Sequence, residues 1–106
     1  IAFDAMLDAD TPVFSETGVR YVGLQELIRQ ADVVTLHVPL VDATRGLFDA
    51  KNIASMKPGA ILINTSRGHI VDLHAVAASL RSGHLGGAAI DVFDTEPLPG
   101  CGALQY

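Results

Sequence analysis

Residues 60–68 read AILINTSRG, so that four apolar residues are followed at once by a polar turn. A short, continuous apolar run is typical of a strand that is buried on both faces, as in a parallel sheet. Arg67 stands four residues past this run, between Ser66 and Gly68. We therefore predict a buried strand over residues 60–64, with a polar turn at its carboxyl end.

Two other apolar segments predict strands of the same kind. Residues 33–38, VVTLHV, stop at Pro39, and residues 86–93, GGAAIDVF, open with small residues that favour close packing of a neighbour. Between these strands, a preceding N-cap aspartate and the spacing of apolar residues predict helices over residues 50–56 and 73–81.

The first third of the chain is less regular. Residues 1–4 resemble the end of a strand with Asp4 at its carboxyl tip, and residues 19–22 alternate as a short strand does. Residues 5–18 have no steady period, which predicts a loop. Residues 24–31 carry apolar side chains at helical spacing and predict a helix.

The alternation of strands and helices predicts an α/β fold with a parallel sheet and right-handed crossovers. In such sheets ligands bind beyond the carboxyl ends of the strands. The predicted strands carry polar or proline-containing segments at those ends, namely Asp4, His37-Val38-Pro39, Asn64-Thr65-Ser66-Arg67-Gly68 and Asp91. One edge of the sheet is therefore the expected ligand site.

Composition narrows the class of protein. The chain has 106 residues, a formal net charge of -5 and 49% hydrophobic residues, which suits one small domain with a core. The acidic balance and the lack of a basic run argue against nucleic acid as a partner, and no apolar stretch is long enough for a membrane helix. Cys101 is the only cysteine, which favours a reducing, cytoplasmic setting.

Two charged residues at the expected site each allow two interpretations. Asp4 could accept the ribose hydroxyls of an adenosine and repel a 2′-phosphate, which favours NAD over NADP, or it could cap a turn. Arg67 presents a planar fork of donors that fits a carboxylate, or it forms a surface ion pair with one of the twelve acidic residues. Spacing alone leaves the two interpretations of Arg67 even. Gly68 suggests either a positive φ or a close backbone approach.

The remaining polar candidates also allow two interpretations each. Thr65 and Ser66 can donate to a ligand or serve as ordinary turn residues. Asp91 can accept from an amide or cap the segment after it. Glu96 can raise the pKa of a neighbouring histidine and fix its tautomer, or it is a solvated carboxylate in the loop predicted over residues 94–106. The histidines have no ligand spacing supported by other ligands, so no metal site is expected.

Several segments together resemble one family, the D-isomer-specific 2-hydroxyacid dehydrogenases. These segments are ADVVTLHVPL at 31–40, MKPGAILINTSRG at 56–68, Val71-Asp72, and AAIDVFDTEP at 88–97. Their order and spacing are more specific than any one of them. The resemblance covers residues 1–99 and implies that residues 1–106 form part of a Rossmann-like NAD-binding domain.

The resemblance also implies a function and site residues. The reaction would be hydride transfer between NAD(H) and a small 2-hydroxy or 2-oxo acid, in a protein that is a homodimer at full length. Arg67 and Glu96 match catalytic residues, the first for the substrate carboxylate and the second for pairing with the catalytic histidine. The residues that match cofactor-binding positions are Asp4, Val38, Pro39, Thr65, Ser66, Arg67 and Asp91.

The chain also departs from the family pattern. We expect the first, central strand of the sheet and its glycine-rich loop to be missing, together with the substrate domain and the later Pro-His segment that carries the catalytic histidine. In the usual strand order, residues 1–4 and 33–38 would then flank a gap. We therefore expect that this chain alone neither closes the sheet nor catalyses. The alternative function is a non-catalytic NAD-sensing or corepressor-type module.

Overall fold

The structure is a computed structural model that describes residues 1–96. Its centre is a sheet of three parallel strands in the order β1-β2-β3, formed by Val33–Leu36, Ile61–Asn64 and Gly87–Ile90. Val33 pairs with Ile61, and Ile61 pairs with Gly87, so the three strands start at the same level. The predictions of an α/β fold and of these three strands are confirmed. Residues 97–106, including Cys101, lie outside the described residues, as do the predictions that fall on them.

Residues 1–96 also contain four α-helices and one 3₁₀ turn, and two of the helices precede the first strand. The helices are α1 (Pro12–Thr17), α2 (Leu24–Gln30), α3 (Ala50–Ala54) and α4 (Leu73–Arg81), and the 3₁₀ turn is Gly68–Ile70. The side chain of Asp49 accepts from the amide of Asn52 at the start of α3, and Asp72 accepts from the first amides of α4. Both predicted N-caps are therefore formed. The two aspartates supply acceptors for helix-end amides that have no partner within the helix.

The hydrophobic core lies on one face of the sheet. Leu62 on β2 is fully buried, and it belongs to one cluster with Ile28 of α2, Ile53 of α3 and Val76 of α4. On the opposite face, Val33 is 51% exposed and Ile61 is 39% exposed. The prediction that the strands are buried on both faces is wrong for the described residues, because their helices pack on one side only.

The N-terminal segment differs from its prediction in two ways. Ala2 and Tyr21 form a single parallel bridge, and the strands expected over residues 1–4 and 19–22 are no longer than that. A pair this short lacks the third strand that usually stabilises a small sheet. Helix α1 lies within residues 5–18, where a loop was predicted, because Pro12 starts the helix and Gly18 ends it in the left-handed conformation.

A groove separates the Ala2–Tyr21 bridge from the sheet. It has a volume of about 700 Å³, and residues 1–4 and 31–38 contribute to its lining. Strand β1 pairs with β2 on one side, and its other edge has no strand beside it among the described residues. The gap expected between residues 1–4 and 33–38 is therefore present. No helix within residues 1–96 has the length and apolar character needed to cross a membrane.

Candidate functional site

The turn after β2 is organised by Asn64, whose side chain is completely buried. Its amide nitrogen donates to the carbonyl oxygen of Arg67 at 2.9 Å. Its amide oxygen accepts from the backbone nitrogen of Ser66 at 3.1 Å and from the Ser66 hydroxyl at 2.8 Å. Because the two backbone partners have fixed polarity, they also determine which way the amide points. Asn64 therefore holds the turn that presents Ser66 and Arg67.

Sequence reasoning gave no role to Asn64. A signal was present, since an asparagine that follows an apolar strand and precedes polar residues often bonds the backbone two residues further on. The amide of Ser66 is two residues on, and it donates to Asn64 as this rule describes.

The Arg67 side chain is exposed, and its Nη1 donates to the carbonyl oxygen of Ser66 at 2.8 Å. No carboxylate within residues 1–96 forms an ion pair with it. The surface ion pair that was one interpretation of Arg67 is thus not formed among the described residues. Most of the guanidinium fork is available to a ligand, as the carboxylate-binding interpretation requires.

A cleft of about 620 Å³ lies beside this guanidinium, at the carboxyl ends of β1 and β2. It brings together five of the predicted site residues, since its lining consists of His37, Val38, Pro39, Leu40, Thr65, Ser66 and Arg67. One wall is apolar and the other carries hydroxyls and a positive charge. A wall of each kind suits a ligand with an apolar ring and an anionic group.

Asp4 lines the neighbouring groove rather than this cleft, but His37 and Val38 contribute to both cavities. The Oδ1 atom of Asp4 accepts from the amide of Met6 at 2.8 Å, so Asp4 does cap a turn. Within the described part of the chain, its Oδ2 atom has no hydrogen-bond partner. The turn cap therefore leaves one carboxylate oxygen for a ligand, and both interpretations of Asp4 are compatible.

Asp91 and Glu96 stand apart from the two cavities, whose linings include neither residue. Asp91 is exposed, and its backbone nitrogen donates to the carbonyl oxygen of Asn64 at 3.0 Å, which joins the ends of β3 and β2. Its carboxylate caps no segment among residues 1–96. Glu96 accepts from the backbone nitrogen of Phe93 at 3.0 Å.

Two histidines lie near the site. Nε2 of His37 is 2.9 Å from the Thr35 hydroxyl, and His37 is exposed at the end of β1. Nδ1 of His69 lies 3.8 Å from a carboxylate oxygen of Asp94. Over residues 1–96, the structure contains no group of three histidine, cysteine or acidic side chains arranged to hold a metal ion.

The two cavities together offer chemistry that suits a dinucleotide. They share lining residues, so they adjoin, and each volume lies in the range of about 300–1,000 Å³ that is usual for ligand sites. A carboxylate oxygen of Asp4 is available in one cavity, and Thr65, Ser66 and Arg67 surround the other. An acceptor for sugar hydroxyls and donors for anionic groups are the chemistry that NAD requires.

Comparison with known proteins identifies relatives of this arrangement. The family model described as D-isomer specific 2-hydroxyacid dehydrogenase, NAD binding domain, matches residues 1–104. Over 98 residues the chain is 52% identical to (S)-sulfolactate dehydrogenase of Chromohalobacter salexigens, a match that covers 92% of this chain and 31% of that enzyme.

Solved structures agree with this match. A D-lactate dehydrogenase from Sporolactobacillus superposes with a TM-score of 0.83 at 42% identity, over 96% of this chain and 31% of that chain. NAD-dependent formate dehydrogenase from Staphylococcus aureus, in complex with NAD, gives a TM-score of 0.75 at 40% identity, over 76% of this chain and 24% of that one. The chain therefore spans about a third or less of each of these relatives.

Proposed function

Since this chain belongs to the D-isomer-specific 2-hydroxyacid dehydrogenase family, whose NAD-binding domain it matches, we propose that it is the segment of an NAD-dependent oxidoreductase that holds the cofactor and the substrate carboxylate. The substrate class is a small 2-hydroxy or 2-oxo acid. When bound, the cofactor would accept the hydride as NAD in oxidation of the hydroxy acid, or supply it as NADH in reduction of the oxo acid. The chain's own residues bind and orient the reactants and stabilise charge.

The guanidinium of Arg67 is the observation that carries this proposal. It lines the cleft at the carboxyl ends of β1 and β2, has no acidic partner within residues 1–96, and stands on a turn held by the buried Asn64. A guanidinium fork that has no acidic partner among residues 1–96, and that stands on a fixed turn beside an apolar wall, suits a carboxylate and the oxygen next to it. As negative charge develops on that oxygen during reduction of a 2-oxo acid, Arg67 would stabilise it.

The other site residues take roles that match their positions. Asp4 would accept the ribose hydroxyls through its free oxygen, and Val38 and Pro39 would line the apolar wall of the cofactor site. Thr65 and Ser66 would donate to the cofactor next to the substrate. Asp91 would accept from the carboxamide beyond the end of β3. Glu96 would orient a histidine that transfers the proton, and we propose that this histidine comes from outside the chain.

We further propose that the isolated chain is inactive. Among residues 1–96 no strand pairs with the outer edge of β1, and Asp4 lines the groove of about 700 Å³ at that edge but not the cleft. A strand placed in that groove would join the two halves of the cofactor site. The complete protein would be a cytoplasmic homodimer, in keeping with the lone cysteine and the family resemblance.

Titration of the isolated 106-residue chain with NADH tests whether its cofactor site is incomplete. We expect no binding in the micromolar range, because unpaired backbone at the β1 edge leaves the cofactor site incomplete. The measurement is NADH fluorescence, on a sample that circular dichroism and gel filtration have shown to be folded and monomeric. Micromolar binding by that monomer would contradict the proposal that its cofactor site is incomplete.

A chimera tests the function. The matching segment of the Chromohalobacter (S)-sulfolactate dehydrogenase is replaced by this chain, and NADH formation is followed by absorbance with (S)-sulfolactate as substrate. We expect turnover within about 100-fold of the unmodified enzyme, which is about 3 kcal/mol of barrier. A chimera that folds and binds NADH without turnover would contradict the proposal and favour the non-catalytic NAD-sensing function.

A further inference from the structure

Gly68 lies where two parts of the candidate site cross. It is buried, and a Cβ atom at this position would meet the carbonyl carbon of Phe93 and lie 2.5 Å from the nitrogen of Asp94 and 2.6 Å from the oxygen of Phe93. Gly68 is not one of the described glycines with positive φ, which are Gly18, Gly46, Gly59 and Gly83. Of the two interpretations made from the sequence, the close backbone approach is therefore correct.

This close approach of backbone segments involves the segments that carry the two candidate catalytic residues. Arg67 directly precedes Gly68. Glu96 accepts a 3.0 Å hydrogen bond from the nitrogen of Phe93, the residue that Gly68 approaches. Beside the crossing, His69 lies 3.8 Å from Asp94. The absence of a side chain at Gly68 thus sets how far the loop of Glu96 stands from the turn of Arg67.

The turn at residues 67–70 is held by hydrogen bonds that do not involve residues 93–96. The side chain of Asn64 donates to the carbonyl oxygen of Arg67. The amide of Gly46 donates to the carbonyl oxygen of His69 at 2.8 Å, and the amide of Phe48 donates to the carbonyl oxygen of Ile70 at 3.0 Å. Within residues 1–96, the polar side-chain contact that joins the loop of residues 93–96 to the turn is the exposed pair of His69 and Asp94, at 3.8 Å. If atoms are added at Gly68, the loop is therefore the side that moves.

We propose that Gly68 is a positioning residue, which sets the distance between Glu96 and Arg67 by allowing direct backbone contact. This inference rests on the function proposed above. An alanine at this position would have to push the loop from about 2.5 Å to an ordinary contact of at least 3.4 Å, a shift of about 1 Å. A displacement of that size in a catalytic group can cost about 100-fold in rate.

The contact itself is tested on the 106-residue chain by NMR. In the wild-type chain we expect nuclear Overhauser effects between the α protons of Gly68 and the amide proton of Asp94. In Gly68→Ala this effect should be lost. Gly23→Ala is the matched control, because nothing lies within 4 Å of its added Cβ and its φ is negative. A wild-type chain without the Gly68–Asp94 effect would overturn the proposal, whether or not the variant folds.

The catalytic consequence is tested in the chimera. Gly68→Ala should lower kcat by about 10- to 100-fold with the KM for NAD within twofold, whereas Gly23→Ala should leave both unchanged. In a Glu96→Gln background, Gly68→Ala should lower kcat no further, because the group it positions is already gone. Equal losses in both backgrounds would overturn the positioning role. If the chimera with Gly68 intact is inactive, the proposed function fails, and the NMR measurement still decides whether Gly68 positions the loop.

Discussion

In the chimera, Arg67→Ala is expected to lower kcat/KM for the acid by about 1,000-fold, or about 4 kcal/mol. The guanidinium is the cationic group that lines the cleft, and no acidic residue within residues 1–96 pairs with it. Its removal leaves both the substrate carboxylate and the developing alkoxide without their donor. Steady-state kinetics at varied acid concentration measure the loss.

Two further variants make this result specific. Arg67→Lys keeps the charge but loses the planar fork, so we expect an intermediate loss of about 10- to 100-fold. Arg29→Ala is the control, because Arg29 is an exposed arginine in the last turn of α2 that lines neither cavity. If Arg67→Ala stays within threefold of the parent chimera, Arg67 does not bind the carboxylate.

The second large effect is on stability. Asn64→Leu is expected to lower the free energy of unfolding of the 106-residue chain by about 3 kcal/mol, at about 1 kcal/mol for each of its three hydrogen bonds. Leucine is similar in size, so the loss comes from polar groups of Ser66 and Arg67 that are left without partners. Urea unfolding followed by circular dichroism measures it.

Gln25→Leu is the control for this prediction. Gln25 is exposed on α2 and makes one side-chain hydrogen bond, to Asn52. Its replacement should change stability by no more than about 0.5 kcal/mol. An Asn64→Leu chain that unfolds at the same urea concentration as the wild type would show that the turn does not depend on the buried amide.

Local patterns accounted for the three strands of the sheet and the helices α2 to α4. Each depends on a period or a cap within a few residues, such as the Asp72 carboxylate on the first amides of α4, and such signals are readable without knowing the rest of the fold. Helix α1 was missed because its cues, Pro12 and Gly18, are also turn residues. The lengths of the strands expected over residues 1–4 and 19–22 were overestimated. The length of a strand depends on the strands beside it, and periodicity does not report these.

The same distinction between local signals and long-range packing applies to the candidate site. The polar residues at the strand ends and the parallel order of strands were enough to expect Val38, Thr65 and Arg67 at one edge, because parallel strands bring their carboxyl ends together. The burial of Asn64, and the identity of the residues that Gly68 approaches, could not be read from the chain. The crossing joins residues 25 positions apart through backbone atoms, and Asn64 is enclosed by the fold around it. Periodicity identifies which residues reach the edge, whereas the distances between them are set by long-range packing.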